Sequence, residues 1–116
     1  MTGSNRLTRG AGENVEDQTR HNALRLLKAL YEHHLGEREE ADALAVTIVP
    51  EHHDASAAGL EYGSQPYEQA IRWLLDAEAL MQDEAFNTMY ANDTAGVPDY
   101  GLAFKITTMG LTLLRG

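Results

Sequence analysis

Ser64 to Asp83 reads SQPYEQAIRWLLDAEALMQD, and this stretch restricts the fold more than any other in the chain. Pro66 suits the first turn of a helix, where its missing N–H is no loss. Ser64 or Gln65 is placed to cap that helix, and Glu68 puts a carboxylate in its first turn, where the helix dipole favours it. Tyr67, Ala70, Ile71, Leu74 and Leu75 then recur on one stripe at helical spacing. Gln65, Gln69, Arg72, Trp73 and Asp76 fall on the other face. A helix with a single apolar stripe needs a core to lie on, so the pattern predicts a helical domain built against it. The polar face leaves a Trp exposed beside an Arg and two Gln.

The remaining elements follow in chain order. Residues 1–14 are rich in Gly, Ser, Thr and Asn and read as a flexible tail. Residues 15–116 read as one domain, long enough for a modest core of its own. A first helix is predicted from about Val15 or Gln18 to Leu35, with Gly36 as its stop. Its stripe is Ala23, Leu24, Leu27, Leu30, Tyr31 and His34. Leu26 and Leu35 widen it enough for a second contact, as in a subunit interface. Glu37 to Asp42 reads as a charged turn. Leu44 to Val49 (LAVTIV) is β-branched and ends at Pro50, which predicts a short strand. Pro50 suits the start of a short helix over Glu51 to Leu60. Beyond Leu80 the period changes. Glu84 to Ala91 and Tyr100 to Ile106 read as two strands of a hairpin around a turn at Asn92 to Asp99. Thr107 or Thr108 is placed to cap a last helix, Met109 to Leu114.

Three segments carry a resemblance. Ala70-Ile71-Arg72-Trp73-Leu74 followed by Ala79-Leu80 is similar to a recognition helix running into a first wing strand. Tyr100 to Ile106 is similar to a second wing strand. Ile106-Thr107-Thr108-Met109-Gly110-Leu111-Thr112-Leu113-Leu114 is similar to a hydrophobic-Thr-x-x-Gly-x-x-Leu-Leu closing pattern. With the predicted order of elements, the chain from about residue 18 to 115 resembles the winged helix-turn-helix family of bacterial regulators. The resemblance implies an α+β, mostly helical fold: a three-helix core, a two-stranded wing and a C-terminal helix. It also implies DNA binding, with the 64–80 helix in the major groove and Gln65, Gln69 and Arg72 as base contacts. Gln with adenine and Arg with guanine are the usual pairings. Two positions depart from the pattern. Glu78 stands where the family usually has Gly, and the turn Leu60 to Gly63 does not match.

Charge argues against that implied function. The net charge is −9, and from Glu39 to Phe104 there are thirteen Asp or Glu against one basic residue, Arg72. Between Arg72 and Lys105 stand six acids: Asp76, Glu78, Asp83, Glu84, Asp93 and Asp99. DNA affinity comes largely from Lys and Arg neutralising phosphates, and a wing without them lacks its anchor. Several like charges facing phosphates cost several kcal/mol, comparable to the roughly 4–10 kcal/mol that separates specific from non-specific binding. Arg6 and Arg9 of the tail are the remaining basic residues a DNA reading would use.

The function expected from the sequence is therefore a non-catalytic regulatory module acting through a homodimer or another protein. Leu26, Leu35 and Trp73 are its interface candidates, and a basic protein surface is the complementary partner. A DNA-binding regulator is the alternative, and a His-based metal sensor a second one. Glu32-His33-His34 and Glu51-His52-His53-Asp54 supply the histidines for such a sensor, with His33, His52 and His53 as ligands. Neighbouring helix residues point about 100° apart, so each pair offers a shared site one ligand, and no HExxH spacing is present. No metal or cofactor is expected on this count, with His34 read as a hydrogen-bonded core residue.

No enzyme is expected either: there is no Cys, no Gly-rich phosphate loop and no Gly-x-Ser-x-Gly. No apolar run approaches the roughly 20 residues of a membrane span, and the first residues lack the apolar centre of a signal peptide. A cytoplasmic protein without membrane contact is the default expectation.

Overall fold

The computed structural model describes the backbone of residues 2–93 and 97–116, and the side chains of residues 16–89 and 97–116. The fold is α+β, mostly helical, with a small antiparallel sheet. Helix α1 spans Thr2–Leu30 and continues as one π-helical turn, Tyr31–Leu35. It begins well before Val15, so the stretch read as a tail is helical backbone from Thr2 onward. The side chains of Arg6 and Arg9 lie outside the described residues. Gly36, at φ 55°, ends the π turn by returning its N–H to the Tyr31 carbonyl at 2.9 Å.

Ala23, Leu26, Leu27, Leu30 and Leu35 are all buried. This corrects the reading of Leu26 and Leu35 as interface residues. The broad stripe of α1 does meet a second surface, but that surface belongs to the same chain: α1 packs on α3 (His52–Ala57), on α4 (Gln65–Asp76) and on α6 (Thr108–Arg115).

Between α1 and α3 the chain forms α2, Glu40–Ala45, where a charged turn and the start of a strand were expected. Glu40 and Asp42 sit in its first turn, and the Ala-rich segment favours helix over the β-branched signal that follows it. The expected strand over Leu44 to Val49 contracts to Ile48, whose N–H donates to the Phe104 carbonyl at 2.7 Å and whose carbonyl accepts from Phe104 N–H at 2.8 Å.

Helix α4 begins as its sequence predicts. Ser64 is the cap, its hydroxyl accepting the Tyr67 N–H at 3.4 Å, and Pro66 lies in the first turn. Tyr67, Ala70, Ile71 and Leu74 are buried against the core. The helix stops at Asp76. Glu78 N–H donates to the Leu75 carbonyl at 3.0 Å and Ala79 N–H to the Leu74 carbonyl at 2.8 Å, with Glu78 at φ 59°. That is a Schellman ending, in which the left-handed position usually belongs to Gly.

Strand β1, Leu80–Gln82, pairs antiparallel with β2, Phe104–Ile106, in the register Leu80↔Ile106, Met81↔Lys105, Gln82↔Phe104. With Ile48 on the far side of Phe104, the order across the sheet is Ile48, β2, β1. The segment Glu84 to Ala91, expected as a strand, is helical instead and belongs to α5, Glu84–Asp93. Asp83 explains the change. Its Oδ1 accepts the Phe86 N–H at 3.2 Å and its carbonyl accepts the Asn87 N–H at 2.9 Å, so an acidic cap starts a helix where the chain leaves the sheet. Of the turn expected at Asn92 to Asp99, residues 94–96 lie outside the described residues. Tyr100 is not part of a strand. Its ring lies 6.3 Å from that of Tyr67 and beneath the Arg72 guanidinium at 5.8 Å.

Helix α6 is capped by Thr107, whose hydroxyl accepts the Gly110 N–H at 3.0 Å. Leu111 completes the core.

Candidate functional site

Two assemblies carry the sequence-predicted residues. The first lies where the π turn meets α3. Glu51 is the N-cap of α3, and His52 and His53 occupy its first two positions, pointing outward and exposed. Asp54 comes third and turns back, its Oδ2 accepting the Glu51 N–H at 2.9 Å in a capping-box arrangement. This places a fully buried carboxylate under the end of α1. His33 Nδ1 lies 2.7 Å from Asp54 Oδ1, and His34 Nε2 lies 3.0 Å from Oδ2.

Burial alone would raise the Asp54 pKa. Hydrogen bonds from His34, the Glu51 amide and His33 outweigh it and hold the carboxyl below its ordinary value. An ionised carboxylate only accepts, so both ring nitrogens facing it carry protons. The 100° rule for adjacent helical residues does not separate these two histidines, for two reasons. The chain is π-helical here, which narrows the step between neighbours. In addition, His33 reaches with its near nitrogen and His34 with its far one.

Donor atoms of His33, His34, Glu51 and Asp54 all lie within 4.8 Å of one another. His33 was expected in such a group. His52 and His53 are not in it: His52 packs on Tyr62 at 4.7 Å between ring centroids, and His53 packs edge-on against His33 at 4.6 Å. Sequence reasoning weighed the wrong half of Glu51-His52-His53-Asp54. The usable signal was the three-residue step from cap to Asp54, which puts both carboxylates beside His33 and His34, Asp54 buried and Glu51 exposed, and turns His52 and His53 away.

The second assembly is the outer face of α4 with the adjoining sheet edge. Gln65, Gln69, Arg72 and Asp76 are exposed there. Arg72 Nε donates to Glu68 Oε2 at 2.8 Å, one turn back on the same helix. Trp73 is half-buried and packs against the core, so it is a smaller exposed feature than the helical wheel implied. The larger exposed apolar side chains are elsewhere: Met81 is 54% exposed and Met89 57%. An open groove beside them is lined by Thr47, Asp83, Ala85, Phe86, Met89 and Lys105. Thr47 donates its hydroxyl to Asp83 Oδ2 at 2.6 Å. That bond, set against partial burial and aided by the Phe86 amide and Lys105, keeps the Asp83 pKa below its ordinary value.

Compared with family models, curated proteins and solved structures, the chain matches none. Its function is therefore argued from these two assemblies.

Proposed function

We propose that this is a winged-helix-type regulatory module, non-catalytic, that works by contact with a protein of basic surface rather than by gripping DNA. Support for the architecture comes from the order α1, α2, the bridged residue Ile48, α3, α4, β1, α5, β2 and α6, with Ile48, β2 and β1 side by side and α2 and α5 added to the expected set. The observation that carries the functional reading is the state of Arg72. It is the sole Lys or Arg between Glu39 and Phe104, and its guanidinium is already paired with Glu68. A phosphate reaching its remaining N–H groups would have to approach between Glu68 and Asp76, both acidic. In place of a basic wing stands α5, opened by Asp83 and Glu84. Lys and Arg supply phosphate affinity, and here the reading face and the sheet edge carry mostly the opposite sign.

The same edge suits a protein. Met81 and Met89 give adaptable apolar contact, and Asp83 and Glu84 draw a basic partner. Burial of Leu26 and Leu35 and partial burial of Trp73 favour a partner on the acidic edge over a two-fold dimer through those residues, and like charges oppose self-pairing through that edge.

The test is a pair of titrations at matched low salt, one with mixed-sequence duplex DNA and one with a basic amphipathic peptide. Peptide binding that weakens in the Met81→Ser, Met89→Ser double variant, with no DNA binding, is the expected result. DNA binding with a steep salt slope that Arg72→Ala reduces overturns the reading.

A further inference from the structure

We propose that His33, His34, Asp54 and Glu51 form a binding site for one divalent transition-metal ion of the zinc type. The proposal is independent of the partner-contact reading and uses none of its residues.

The donor set fits such an ion. Two imidazole nitrogens and two carboxylates make an N2O2 group, which suits zinc and its neighbours better than the all-oxygen shells of magnesium or calcium. Their two negative charges balance a dication, so loading the site leaves no net buried charge at Asp54. Metal–donor bonds of about 2.0–2.2 Å in a tetrahedron set neighbouring donors roughly 3.4 Å apart. The present separations bracket that value: 2.7 and 3.0 Å from the histidines to Asp54, and 4.8 Å as the outer limit of the group. The close pairs must open by roughly 0.5 Å and the widest must close by a little over 1 Å. Glu51 is the exposed carboxylate of the set, and its side chain also serves the capping box of α3, so binding the ion means leaving the Asp54 N–H.

Access and support are also in place. His33 and Glu51 face solvent and give an ion a path, while Asp54 is fixed from behind by the Glu51 amide. The ion takes the lone pair of each facing ring nitrogen once the proton there has moved, to the other nitrogen of the same ring or to water. An ion here ties the π turn to α3, the helix immediately before α4.

The alternative is a purely structural clamp of two histidines on a buried aspartate. Zinc titration of tag-free protein separates the two, followed by calorimetry and by melting temperature, with magnesium as control. Asp54 is too deeply buried for its variants to be informative, so His33→Ala and Glu51→Gln are used, since both residues are exposed. The expected result is one zinc bound per chain, a melting temperature that rises with zinc but not magnesium, and affinity at least about tenfold weaker in either variant. No zinc uptake by the wild type, or uptake unchanged in both variants, overturns the site.

Discussion

Gly110→Ala is the substitution whose sign the fold decides against the usual rule. Gly110 lies inside α6, and in a helix interior Ala is favoured over Gly by about 1 kcal/mol. Helix propensity alone therefore predicts a more stable protein. The packing predicts the reverse. A Cβ at residue 110 would stand 2.3 Å from the Ala79 carbonyl oxygen and 2.8 Å from Ile106 Cγ1, where ordinary contact begins at 3.4 Å. The carbonyl is backbone and already accepts the Thr107 N–H at 3.1 Å, so it cannot turn aside without breaking that bond. The neighbouring Glu78 carbonyl accepts the Thr107 hydroxyl as well. Overpacking of this kind costs about 1–3 kcal/mol, and a lost backbone hydrogen bond adds about 1 kcal/mol. Set against the propensity gain, the net loss is about 1–3 kcal/mol. At about 4 °C per kcal/mol for a domain of this size, the melting temperature falls by about 4–12 °C. Circular dichroism melts and urea midpoints of the two proteins measure it. A variant that melts at or above the wild type would show that α6 does not sit on Ala79 in this way, and the docking of the last helix would have to be redrawn.

Two further predictions concern the same end of the molecule. Glu78→Gly, at φ 59°, relieves the left-handed strain at the end of α4 and raises stability by about 0.5–1 kcal/mol, readable as a melting temperature a few degrees higher; a drop would refute the Schellman geometry. Asp83 has a folded-state pKa below its ordinary value, so its contribution is present above about pH 4 and fades as pH falls through the folded value; Thr47→Val should reduce that acid-side loss, measured as urea midpoints at neutral and acid pH, and an unchanged pH profile would discount the Thr47 bond.

What the sequence made legible was what local chemistry decides. The Ser64 cap, the Tyr67–Leu74 stripe, the stop at Gly36 and the Thr107 cap each depend on residues within a few positions of one another, and each is where the spacing places it. The misreadings share a different cause. Glu84 to Ala91 contains Phe, Thr, Met and Tyr, which suit a strand, but Asp83 at its start supplies a helix cap, and a cap outweighs a weak β preference. Leu26 and Leu35 were apolar beyond what one partner helix needs, and helical periodicity does not say that α1 packs on α3 and α6 as well as on α4. The His–Asp cluster was hidden because the 100° rule assumes an α-helix, whereas Tyr31–Leu35 is π-helical, and because Asp54 lies 20 residues or more from both histidines.

The acidic end of the sheet follows from the same constraints. Strand pairing ends at Gln82↔Phe104, and the next backbone groups need partners. Asp83 N–H finds the Ala103 carbonyl at 2.9 Å. The groups beyond it are taken by one side chain of α5: Asn87 Oδ1 accepts the N–H of Leu102 at 3.1 Å and of Ala103 at 2.8 Å, and Asn87 Nδ2 donates to the Ala103 carbonyl at 3.3 Å. A helix thus does the work that a longer hairpin would do with paired backbone, and it does so only if α5 starts at Asp83. That start needs an acceptor side chain, and Asp83 also holds Thr47 from the Ile48 segment. A Lys or Arg at that position would supply neither bond. At Asp83, then, an acceptor side chain is a condition of the fold, and with aspartate in that place any partner that meets this edge meets a negative charge.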